Sequence, residues 1–119
     1  RSQHLVIQPS RGEGFGLVPL EAAASGACTA ATYATGHTEH LHETSAVRIE
    51  TGGYVPIDDG PGATAPELTV ASVKDALVHA HEAWPLIAKL TRERAAGLGQ
   101  AWSWERVTGD FLASLEASH

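Results

Sequence analysis

The stretch Leu5-Val6-Ile7-Gln8-Pro9-Ser10-Arg11-Gly12-Glu13-Gly14-Phe15-Gly16-Leu17-Val18-Pro19-Leu20-Glu21-Ala22-Ala23-Ala24-Ser25-Gly26 decides the fold. Its first three residues are apolar and largely β-branched, and Pro9-Ser10 stops them, so they read as a buried strand that ends at a loop. From Gly12 three glycines fall in five positions, and a loop follows naturally. Pro19 then suits a first helical turn, the alanines propagate a helix, and Gly26 suits its C-terminal cap. Strand, glycine loop and helix make half of a βαβ unit.

Working outward, Cys28 to Thr32 is small and partly β-branched and reads as a second buried strand. Thr35-Gly36 breaks it, and His37 to Glu43 has room for a short helix. Ala46 to Glu50 reads as a third strand. Gly52 to Pro66, dense in Gly, Pro and Asp, reads as a loop too broken for regular structure. Downstream the period changes. Val70, Val73, Leu77, Ala80 and Trp84 recur at helical spacing, and Pro85 marks a break. Leu86, Ile87, Leu90, Leu98 and Trp102 suggest a second helix, weakened at Gly97 and Gly99. Ser103 is a credible N-cap for a third helix, with Trp104, Val107, Phe111 and Leu115 on one face. At that spacing the three tryptophans are expected in the core. The fold class expected is α/β: a partial Rossmann-like parallel sheet of about three strands with C-terminal helices. Residues 1–68 form the βαβ core and residues 69–119 the helices, within a single partial domain.

Composition bounds the function. Eight Lys+Arg against 14 Asp+Glu leave a formal net charge of −6, which argues against nucleic-acid binding. A 43% hydrophobic, 18% charged chain of 119 residues is an ordinary globular domain with a real core. The single cysteine, Cys28, admits no internal disulfide and fits a reducing, cytoplasmic setting. No apolar run approaches the roughly 20 residues of a membrane span, and the first residues do not read as a leader. The sequence has no methionine, so a trimmed piece of a longer protein is expected. A three-stranded parallel sheet also wants neighbours, supplied by upstream residues or by a second copy in a homodimer.

Three candidate sites stand out. A strand, Gly-rich loop and helix N-terminus make an anion site, because free N–H groups and the helix dipole favour phosphate. It is neither a Walker loop nor a clean G-x-G-x-x-G, and a loop that merely turns remains the alternative. Glu13 and Glu21 form a second candidate: a carboxylate near a helix start can accept ribose hydroxyls, or can simply complement the dipole. The third is His37-x-x-His40-x-His42-Glu43. Its types suit zinc, but a helix would align His37 and His40 without His42 and no cysteine is near, so no metal site is assigned and a polar turn beside the ligand cleft is preferred. Asp58 and Asp59 read as part of a tight turn, without the later Glu of a calcium loop.

Together, Pro9, Ser10, Glu13, Gly14, Phe15, Gly16, Leu17, Leu20, Glu21, Ala22, Ala24 and Gly26 resemble the E-x7-E segment of retaining GT-B glycosyltransferases of family 4. Ala23 stands where that family often has Met. Ala31-Thr32, Thr35-Gly36-His37, Glu39-His40-Leu41 and Trp102-Ser103-Trp104-Glu105-Arg106-Val107 are similar to its later segments, although the family more often has Gly-Gly at the turn. The resemblance covers the second half of a C-terminal, donor-binding domain. It implies a catalytic-site role for Glu13 near the sugar hydroxyls, and donor contacts from Gly14, Phe15, Gly16, Leu17 and Val18 to sugar and diphosphate. Glu21 is implied at the ribose. It further implies a nucleotide-sugar donor, an acceptor hydroxyl, no cofactor and no metal, with the diphosphate-neutralising Arg and Lys and the acceptor domain outside this segment. A non-catalytic nucleotide-binding or self-associating module is the alternative, since fold likeness does not secure function.

Overall fold

The computed structural model describes residues 5–41 and 46–118. Strands β1 (Leu5–Gln8), β2 (Cys28–Thr32) and β3 (Val47–Ile49) form one sheet in the order β1-β2-β3. Both pairings are parallel, with Val6 opposite Thr29 and Ala31 opposite Arg48. The expected partial Rossmann-like sheet is present. Helix α1 (Leu17–Ala24) connects β1 to β2, and a 3-10 turn at Thr35–Glu39 follows β2. Helices α2 (Val70–Glu82), α3 (Trp84–Ala101) and α4 (Trp104–Ala117) complete the chain.

Helix α1 ends as its sequence dictates. Gly26 takes φ 85°, Gly26 N–H donates to Ala23 O (3.0 Å) and Ala27 N–H donates to Ala22 O (2.9 Å). That paired closure needs a left-handed residue, which glycine supplies without a Cβ clash. The chain then enters β2, every residue of which is buried. Cys28, Ala30, Val47 and Ile49 pack with Ala76, Ala80, Ile87 and Ala88 of α2 and α3. A second cluster joins Leu20 and Ala23 of α1 to Leu98 of α3, with Phe15 and Trp102 against it. Helix α3 therefore links the sheet cluster to the helix that follows the glycine loop.

Three expectations need correction. The segment read as an unstructured loop contains an antiparallel hairpin, β4 (Tyr54–Pro56) with β5 (Thr64–Pro66). Gly60 and Gly62, at φ 104° and 75°, turn it, and Pro56 and Pro66 are tolerated because a two-stranded ribbon has only edges. In and just after α2, Val73, Ala80 and Trp84 pack on the core as expected, joined by Ala76, but Val70 is 86% exposed and Leu77 is exposed. Small residues let the helix approach β3 closely, and Val70 opens the first turn, away from the sheet. The expected second helix is continuous through Gly97 and Gly99, with Leu98 between them buried against α1. Trp84 and Trp102 are half-buried against the two clusters, but Trp104 is 85% exposed, and Val107, Phe111 and Leu115 on the same face of α4 are exposed with it. Ser103 does cap α4, its Oγ accepting from Arg106 N–H at 3.2 Å.

The molecule is a slab of 49 × 47 × 17 Å. No helix among the described residues is long and apolar enough to cross a membrane.

Candidate donor site

The glycine loop, the turn after β2 and the entry to the β4–β5 hairpin all leave from the carboxyl ends of the parallel strands. That rim is where open α/β sheets offer backbone groups to ligands. Residues 32–40 hold the loop from beneath. Thr32 Oγ1 donates to Ser10 O, Glu13 N–H donates to Thr35 Oγ1 (3.0 Å), and Gly36 N–H donates to Glu13 O (2.9 Å). His40 Nε2 lies 2.9 Å from Phe15 O, so that nitrogen carries the proton and donates. Thr35 is the one described non-glycine residue at positive φ, 51°, a conformation that brings its hydroxyl under Glu13. Two glycines are required by contact. A Cβ at Gly36 would fall on the Gly14 carbonyl, and one at Gly16 would fall within the His37 ring.

Gly16 is the N-cap of α1 at φ 82°, ψ 65°, and offers no side-chain cap. The first N–H groups of a helix have no intrahelical acceptor. At this end they belong to Gly16, Leu17 and Val18, because Pro19 has none, and no acceptor among the described residues meets them. No acid occupies the first turn. The result is an uncapped N-terminus whose partial positive charge is uncompensated.

Glu13 is half-buried, with Oε1 accepting from Gln8 Nε2 at 3.1 Å. Glu21 lies in the second turn of α1, exposed, with no side-chain hydrogen bond among the described residues; it is not a first-turn acid. It lines an open groove of about 470 Å³ with Phe15, Leu17, Trp102 and Trp104. Leu17 and Val18 are half-exposed, while Phe15 packs its ring 5.3 Å from Trp102 and 4.9 Å from His40. Arg11 donates through Nε to Pro66 O (3.0 Å) and ties the loop to the hairpin. Sequence reasoning assigned no such role to Arg11 or to His40; no local signal marks either, because both act on segments remote in the chain.

His37 and His40 stand with ring centroids 6.1 Å apart, but each has a ring nitrogen on a backbone carbonyl, Thr32 O and Phe15 O. His42 and Glu43 lie outside the described residues. Among the described residues no three His, Cys, Asp or Glu side chains are grouped to hold a metal ion.

The family described as "Family 4 Glycosyltransferase in conflict systems" matches residues 1–111. The chain belongs to that family. Similarity extends to the lipopolysaccharide core biosynthesis mannosyltransferase LpcC of Rhizobium leguminosarum bv. viciae, 40% identical over 83 residues. That match covers 63% of this family 4 chain and 22% of the relative. The chain therefore spans about a fifth of the relative's length, and the glycine loop, its supporting turn and α1 all fall within the family match.

Proposed function

We propose that this chain carries the nucleotide-sugar donor site of a retaining, group 1 type glycosyltransferase acting on a hexosyl donor. The observation that carries the reading is the uncapped start of α1, where the N–H groups of Gly16, Leu17 and Val18 converge with the helix dipole. A diphosphate placed there gains fixed donors that need no reorganisation as it departs from the anomeric carbon. Glu13, beside that mouth, receives the sugar hydroxyls, and its donated bond from Gln8 fixes the carboxylate. Phe15 and Gly14 shape the loop, and Glu21, exposed one turn further along, accepts from the ribose. The acceptor hydroxyl attacks from a domain outside this segment, so catalysis rests on positioning. Helix dipole and backbone amides serve the leaving group here without a metal or cofactor. A hexose is favoured because the relative is named a mannosyltransferase. The free, buried Cys28 accords with a reducing, cytoplasmic setting.

The test is calorimetry with a nucleoside diphosphate lacking its sugar. Glu21→Gln should weaken binding by about ten-fold, the order of one charged hydrogen bond, and Glu13→Gln by much less. Equal losses at both positions would contradict the assignment, and NMR shifts centred away from Gly14–Val18 would overturn the site itself.

A further inference from the structure

His37 is completely buried, and its Nε2 meets no hydrogen-bond partner among the described residues. Its Nδ1 lies 2.9 Å from Thr32 O. A carbonyl oxygen only accepts, so Nδ1 carries the ring proton and Nε2 of the neutral ring is a bare lone pair. A buried acceptor without a donor is costly, and such atoms in native folds call for a cause. The place of this one is specific. A Cβ at Gly16 would stand on Cδ2 of the ring and 2.5 Å from Nε2. The lone pair therefore sits directly against the residue that caps α1, at the mouth already described.

We propose that His37 is a ligand-binding residue of the donor site, its Nε2 accepting a hydrogen bond from a hydroxyl of the hexose carried on the diphosphate. The inference rests on reading the glycine loop as the donor site. The chemistry selects the hydroxyl. An unprotonated Nε2 needs a donor, an ionised diphosphate has none to give, and a sugar carries several. The position selects the sugar over the ribose. Gly36, immediately before His37, is bonded through its N–H to the backbone of Glu13, the sugar-facing acid, whereas Glu21 lies a turn further along α1. Gly16, which stands against the ring, has no side chain to displace, and Gly12 and Gly14 have open space where a Cβ would lie. A small shift of the loop therefore uncovers Nε2, and glycine is the residue type that permits it.

The experiment compares wild type with His37→Asn at pH 8. Asparagine keeps an N–H for Thr32 O and removes Nε2. Calorimetric titrations use GDP against GDP-mannose and UDP against UDP-glucose. In the Asn variant the nucleoside diphosphate alone should bind as in wild type. The ratio of sugar-nucleotide to nucleoside-diphosphate affinity should fall about three- to ten-fold. An unchanged ratio overturns the role of His37 while leaving the donor site standing. Absence of binding by wild type to any of the four overturns the donor-site reading, and this inference with it. Should the variant not fold, long-range ¹H–¹⁵N spectra of wild type decide: the Nε2 resonance should move on adding the sugar nucleotide and stay on adding the nucleoside diphosphate. Movement with neither, or equally with both, rejects the contact.

Discussion

Gly16 and His37 occupy one volume between them: the imidazole fills the space a side chain at residue 16 would need, and φ 82° would strain any residue that has one. Gly16→Ala should therefore cost stability twice, about 1 kcal/mol for the left-handed backbone and a further 1–3 kcal/mol for displacing a buried ring. Thermal denaturation checks the sum, and a loss below about 0.5 kcal/mol would mean that the ring is free to move aside. The glycine was legible in the sequence because its neighbours Glu13, Phe15 and Leu17 form a recognisable pattern with it. The histidines were legible only as polar residues after a turn. His40 reaches Phe15 O across 25 residues of chain, which no local pattern encodes, whereas His37 turns back onto Thr32 O only five residues before it.

Among the elements, β1, β2 and α1 stand where the sequence puts them, because short apolar or small-residue runs bounded by Pro9, Gly26 and Gly36 mark them locally. In α2, Val73 and Ala80 face the core as their spacing suggests, but Ala76 carries a weak hydrophobic signal that exposed Val70 and Leu77 outweigh. The hairpin was missed because Gly60 and Gly62 are turn residues whether or not strands flank them. Helix α4 has the opposite problem: its amphipathic pattern is clear, yet its apolar face is left largely exposed, with no residue of the helix buried. Such a helix leans on local terms, and Ser103 is the largest of them. Ser103→Ala should cost about 1 kcal/mol by removing the acceptor for Arg106 N–H. The loss should appear as fraying of α4 in amide exchange, with the sheet unaffected. Equal loss of protection in β2 would show that α4 is coupled to the core after all.

For the molecule as a whole, area is the telling quantity. The accessible surface is 7644 Å², against about 6,200 Å² for a compact monomer of this 12.5 kDa mass. The difference of about 1,500 Å² is the size of a domain or subunit interface. Trp104, Phe111 and Leu115 of α4 are exposed, and β1 is an edge strand of its sheet. We propose that the rest of a longer protein, or a second copy of this chain, covers that surface. Light scattering of the 119-residue chain should then report a dimer or larger species, and a clean monomer at high concentration would reject self-association. The same chain alone should transfer no sugar, since it supplies one wall of the proposed cleft. Measured turnover would place the missing groups among residues read here as structural.

The 17 Å thickness has a further consequence, for how the chain melts in urea. A denaturant transition is as steep as the surface it newly wets. An unfolded chain of this mass exposes about 18,000 Å², so the slab gains roughly a tenth less surface on unfolding than a compact monomer would. Its transition should be correspondingly shallow, with an unfolded tail reaching to low urea. Whatever docks on the open faces should then do more than raise the midpoint: it should sharpen the curve.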